Sequence, residues 1–184
     1  MMRKGFTLIE MLIVISVMSI LMAIAIPFMR VSPTRQVRLA ATQLSRDLEL
    51  VRTRALSTRR VSRVSFDGAT RSYAGYSDID EDGVIMETTA EMQALRAFGH
   101  REFDARISYG RGSAGPVPGD TAAGGAISFP MGHVEFGARG VTTPFGTRGA
   151  VYLVHNSDPE AVAAVSVAGS GSVKLWVYRG GTWQ

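Results

Sequence analysis

Hydrophobic and polar positions fall into three successive patterns along the chain. Met11 to Met29 is apolar apart from Ser16 and Ser19. About 19 residues at 1.5 Å each make a helix of roughly 28 Å, close to the thickness of a bilayer core. Residues 6–29 are therefore predicted as a transmembrane helix. Pro27 lies inside this run, where it removes one intrahelical hydrogen bond and either bends or ends the helix. Ser32-Pro33 reads as an N-cap followed by proline at the first helical position. Two helical segments joined around Pro27 to Val31 are expected. Val37, Ala41, Leu44, Leu48, Val51 and Ala55 then recur at alternating spacings of four and three, the stripe of an amphipathic helix. The spacing predicts a stalk helix over residues 30–60 whose stripe is covered by a sheet.

From Val61 onward the pattern becomes short alternating runs broken by Gly, Asn and Asp, as in antiparallel β structure. Strands are predicted at Val61–Phe66, Ser72–Tyr76, Ile127–Phe129, Val134–Phe136, Ala150–Val154, Ala163–Val167 and Val173–Tyr178. Gly110 to Gly125 is rich in Gly, Pro, Ser and Ala and reads as a mobile loop. The fold class is α+β: a long N-terminal helix, first transmembrane and then amphipathic, packed on an antiparallel β-sheet head over residues 61–184.

Charge sharpens this division. Residues 30–63 carry nine arginines against Asp47 and Glu49, net +7, whereas residues 64–184 are net −4. The basic character belongs to the stalk, and a nucleic-acid-binding head would more often be basic itself. Most of these arginines fall off the apolar stripe, on a solvated face or against acidic neighbours. The chain has no cysteine, which excludes disulfides and thiolate metal sites.

Arg3 and Lys4 ahead of the apolar run, with Ala23-Ile24-Ala25 inside it, also fit an ordinary secretory signal peptide. Glu10 separates the two readings. A carboxylate at the edge of an apolar run is costly unless it has a partner or a role. Here it stands in Lys4-Gly5-Phe6-Thr7-Leu8-Ile9-Glu10. This stretch resembles the class III signal of type IV pilins and type II secretion pseudopilins. The resemblance implies a leader of residues 1–5, removed by a prepilin peptidase after Gly5, and methylation of the new amino group of Phe6. It also implies that Glu10 meets the amino terminus of a neighbouring subunit, and that the helix loosens near Pro27 in a filament. The implied partners are other pilin or pseudopilin subunits, the peptidase and the inner-membrane assembly machinery. The implied location is the inner membrane, single-pass with a periplasmic head, and then the filament. The arginines after the apolar run oppose the positive-inside rule, and the motif is taken to override it.

The head resembles H-type pseudopilins of type II secretion and FimT/FimU-type minor pilins. Tyr76 to Gly83, with Glu91 and Leu95-Arg96 beyond, resembles their aspartate-rich turn and following strand. Ile127 to Gly132, Val151 to Val154 and the terminal hairpin up to Trp176 resemble later strands. The expected function is a minor pilin or minor pseudopilin; a major pilin and a DNA-binding uptake pilin are the alternatives. Gly171-Ser172-Val173-Lys174 replaces the family's Gly-Arg-x-Arg pattern, so nucleic acid is not an expected partner.

Asp78, Asp80, Asp82 and Gly83 match the opening of a calcium loop, D-x-D-x-D-G, although Thr89 stands at the twelfth position. The favoured reading is a plain acidic turn with no cofactor, and the alternative is a calcium site. Gly110 to Gly115 matches GxGxxG but is followed by Pro116-Val117-Pro118 rather than a helix, so no pyrophosphate site is expected. His100, His133 and His155 show no ligand spacing, and no nucleophile motif occurs, so no catalytic residue is assigned. Trp176 and Tyr178 read as sheet-face packing, and Trp183 as exposed.

Overall fold

The computed structural model describes residues 6–28, 32–120 and 125–184, with residues 25–28 described by backbone alone. The chain divides into two compact units, Met1–Ser32 and Pro33–Gln184.

The first unit is helix α1, Leu8–Phe28. Thr7 precedes it, and its Oγ1 accepts the Glu10 amide at 3.3 Å, a side-chain cap that favours starting the helix there. Leu8, Ile9, Leu12, Ile15, Met18, Leu21 and Ile24 are all exposed. These positions encircle the helix, so α1 is apolar on every side and has no core of its own. Ser16 and Ser19 donate to the carbonyls of Leu12 and Ile15, both at 2.8 Å. Their hydroxyls are satisfied within the helix and need no water. Pro27 falls within α1, one residue before its end. Side chains are described only as far as Ile24, fewer residues than the ~20 of a typical span. Among the described residues no helix is long and apolar enough to cross a membrane.

The second unit begins with α2, Pro33–Thr58, shorter at both ends than the predicted 30–60. Arg59 in the left-handed region ends it. All six stripe residues are completely buried. They pack with Val64, Phe66, Val134, Phe136, Val151, Leu153, Val165 and others in one continuous core. Two antiparallel sheets supply that cover. Strands β1 (Ser62–Asp67), β2 (Ser72–Ser77), β3 (His100–Glu102), β5 (His133–Phe136) and β6 (Thr142–Thr143) form the first, in the order β3-β2-β1-β5-β6. Strands β4 (Ile107–Tyr109), β7 (Gly149–His155), β8 (Asp158–Val167), β9 (Val173–Arg179) and β10 (Thr182–Trp183) form the second, in the order β10-β9-β8-β7-β4.

Asp47 is the exception on the buried side of α2. Its carboxylate receives the Tyr73 hydroxyl at 2.7 Å, the Gln43 amide at 3.0 Å and the Arg101 Nε at 2.8 Å. A buried carboxylate is tolerable only with such partners. Gln43 lies on α2 itself, and the other two donors, Tyr73 and Arg101, tie α2 to β2 and β3 at one register.

Three predictions are corrected. Ile127–Phe129 is not a strand; only Ile127 bridges, to Val151. The expected strand after the aspartate turn is instead helix α3, Thr89–Leu95. Thr88 and Glu91 form a reciprocal capping box that starts it. The helix packs directly on β2, where a Cβ at Gly75 would lie 2.4 Å from Leu95 Cδ2. Finally, the described part of the Gly110–Gly125 loop is fastened down. Val117 is buried with Ala150, Tyr152 and Ala164, and Trp176 and Trp183 pack against them. The Tyr152 hydroxyl donates to Asp120 at 2.5 Å and accepts the Val117 amide at 3.0 Å. Arg111 lies over the Tyr152 ring at 4.4 Å. Residues 121–124 of this loop lie outside the described residues.

Burial and the hydrogen bond to Asp120 push the Tyr152 phenol up to about 12. An unfolded tyrosine ionises near ~10. The stabilisation is therefore complete below the unfolded value and is lost as pH rises toward 12. Guanidinium midpoints should fall across that window, and less steeply for Tyr152→Phe. Tyr73 and Tyr109, also raised by burial, should keep part of the slope. A variant with an unaltered slope would remove Tyr152 from this account.

Candidate functional site at the N-terminus and the aspartate turn

Gly5, and with it the predicted scissile bond, lies outside the described residues. Phe6 precedes α1 and is 71% exposed. Glu10 stands in the first turn, exposed among exposed apolar side chains. A carboxylate near a helix N-terminus interacts favourably with the helix dipole. That interaction does not replace hydration if the helix is covered by lipid or by other helices. Any cover for this apolar surface must therefore bring a positive or hydrogen-bonding group to Glu10.

The aspartate turn follows β2. Asp78 is buried, and its two oxygens accept the amides of Glu81 at 2.9 Å and Gly83 at 3.0 Å. Asp82 accepts the Val84 amide at 2.7 Å. Glu81 and Gly83 both adopt positive φ, +65° and +80°, which winds the chain back over Asp78. Arg60, just beyond α2, donates to the Ile79 carbonyl at 3.0 Å and pairs with Glu81, pinning the turn to the base of β1. Ligand oxygens of Asp78, Asp80 and Asp82 all lie within 4.8 Å of one another. The crowding is felt at Asp80. Its own backbone hydrogen bond lowers its pKa, but the Asp78 side-chain bond, desolvation and the Asp82 and Asp78 charges outweigh that and raise it. The arrangement can hold a cation, and it also closes as a turn through its own amides.

Other singled-out residues have structural roles. In the glycine-rich motif, Gly112 adopts a φ of +51°, and a Cβ there would meet the Pro159 carbonyl oxygen at 2.1 Å. The Ser113 amide bonds that same carbonyl at 3.0 Å, so the motif fastens the loop to β8. Trp183 is half-buried rather than exposed, donating to the Gly115 carbonyl at 3.1 Å beside Tyr152 and Tyr178. Trp176 donates to Ser166 at 2.8 Å and lies under the Lys174 ammonium at 3.7 Å. The three histidines lie on three different strands. Sequence reasoning missed the Arg63 cluster. Arg63 faces Glu135 across the β1–β5 ladder, with contacts of 2.8 and 2.5 Å, and reaches Glu87 at 3.1 Å. A basic residue on a β1 position facing away from α2 was the available signal.

The family model for the prokaryotic N-terminal methylation motif matches residues 1–26. A comparison with curated proteins finds no match. Among solved structures, the type IV minor pilin FimU of Pseudomonas aeruginosa superposes with a TM-score of 0.50 at 15% identity, over 80% of this chain and 92% of that one. The minor pseudopilin EpsH from the type 2 secretion system of Vibrio cholerae gives a TM-score of 0.52 at 12% identity, over 77% and 97%. The chain joins a prepilin-type N-terminal motif to a pilin-like α+β fold of the minor-pilin and minor-pseudopilin kind.

Asp78→Ala should destabilise the head by about 1–3 kcal/mol, because two amides lose their acceptor. Denaturant unfolding would measure this. A loss below about 0.5 kcal/mol, the usual range for surface substitutions, would mean that Asp78 does not organise the turn.

Proposed function

We propose that this chain is a minor pilin or minor pseudopilin subunit, stored in a membrane through α1, cleaved once and assembled into a filament. The supporting observation is the combination of the methylation motif over residues 1–26 with a head that shares the FimU and EpsH fold. In this reading a prepilin peptidase cuts between Gly5 and Phe6, and the new Phe6 amine is methylated. The bare apolar surface of α1 exchanges lipid for the helices of neighbouring subunits. Glu10 then pairs with the Phe6 amine of an adjacent subunit. Each group is costly alone in an apolar filament core, and the pair sets register more than it adds affinity. Pro27 lets the helix loosen as subunits pack. A periplasmic head and an inner-membrane origin follow from the same reading. Its work is structural, with no reaction at the head. A calcium ion at Asp78, Asp80 and Asp82 is proposed as an accessory, on the convergence of their oxygens.

Intact-mass measurement of protein extracted from peptidase-competent cells tests the processing. The expected chain begins at methylated Phe6; a start after Ala25, or an uncut chain, would overturn the reading. Glu10→Ala should leave cleavage intact and deplete the subunit from sheared filaments, and wild-type incorporation would remove the pairing. For calcium, the melting temperature should rise in millimolar calcium relative to chelator, since a ligand bound only by the folded state stabilises it. Coincident curves would leave the turn metal-free.

A further inference from the structure

α2 has a second face that the head does not use. Opposite the buried stripe lie Arg35, Leu39, Thr42, Arg46, Leu50, Thr53 and Ser57, with Arg38 at the flank, as the 3.6-residue period requires. Arg35, Arg38, Leu39, Arg46 and Leu50 are all exposed, Leu39 at 59% and Leu50 at 42%. Thr42 and Thr53 bond their hydroxyls to the carbonyls of Arg38 and Glu49, at 2.7 and 2.8 Å, which leaves them low and weakly hydrated. The face is therefore basic and apolar at once. Arg38 and Arg46 on this face have no acidic partner among the described residues. No Asp or Glu occurs between Glu10 and Asp47, and Asp47 is buried and already held by Arg101. The one acidic residue at its edge, Glu49, is paired with Arg52 at 3.5 Å. Leu39 also borders an open groove of about 500 Å³ that Gln36, His100, Arg101 and Arg106 help to line.

We propose that this outer face of α2 lies against anionic phospholipid headgroups while the subunit is stored in the membrane. The idea rests on the membrane-storage reading above, because only four residues separate α2 from α1 in sequence. An amphipathic helix with basic residues interleaved by leucines suits the headgroup boundary, and an anionic bilayer attracts each arginine. The same contact offers a use for arginines that stand on the wrong side of the apolar run for the positive-inside rule. Assembly would exchange these headgroups for neighbouring subunits, so the interaction must be reversible. Electrostatic attachment through a few arginines, screened by salt, has that property.

The test uses residues 33–184, which contain every core residue found among the described residues. Sedimentation with vesicles of phosphatidylglycerol and phosphatidylcholine should show binding that pure phosphatidylcholine does not support. Each arginine contributes about a fivefold change in partitioning. Arg38→Gln/Arg46→Gln should therefore weaken binding roughly thirtyfold at unchanged melting temperature, whereas Arg59→Gln, off this face, should leave it within about twofold. Equal binding to both vesicle types, or a double variant that binds like the parent, would overturn the proposal. So would absent vesicle binding combined with protection of this face only in assembled filaments, which would assign it to a subunit contact. The membrane-storage reading is decided separately, by fractionation of the full chain, and does not depend on the vesicle result.

Discussion

Six side chains from Val37 to Ala55 leave solvent completely, and both sheets of the head are arranged around them. A helix with this stripe cannot stay folded alone, since its stability comes from covering the apolar face. At roughly 25 cal/mol per Å² of apolar area, that cover is a large favourable contribution to folding the head. One sheet alone does not provide it. The core draws on β1, β2 and β5 from the first sheet and on β7 and β8 from the second. This requirement propagates outward. β7 faces α2 with Val151 and Leu153 and faces away with Ala150 and Tyr152. Its outer side then needs a cover too, and the Val117 loop and the two tryptophans provide one.

Hydrophobic cover is tolerant of sliding by a helical turn, and the Asp47 cluster is less so. A one-turn shift of α2 would separate a buried carboxylate from Tyr73 and Arg101 and leave it unpaired, at a cost of several kcal/mol. The cluster adds little as an ion pair and much as a register mark. It also explains a short edge strand, β3, whose side chains are exposed. Arg101 belongs there because it reaches Asp47.

The α2 stripe and the alternation of β1 were legible because one face of each is buried and the other is not. β2 carries no such contrast, with every residue buried between the α2 core on one side and Ile85 and Met92 on the other. Its length was still readable from its turn. Helix α3 carries its own signal in Thr88-x-x-Glu91, which the strand expected from the family resemblance left unused. The Gly110 loop was misread on composition: glycine gave it tight approaches to β8 rather than freedom. At the site, the positions of Glu10 and the aspartates were plain in the sequence. The double acceptance at Asp78, which makes the turn self-sufficient, required φ angles that no residue type announces by itself.

Among the described residues the buried core begins at Val37, and α1 contributes nothing to it. The folding free energy of the head is therefore separable from whatever surrounds α1. If the first helix passes from lipid to protein, the cost and gain of that transfer appear as a partition equilibrium of one segment, with no refolding attached.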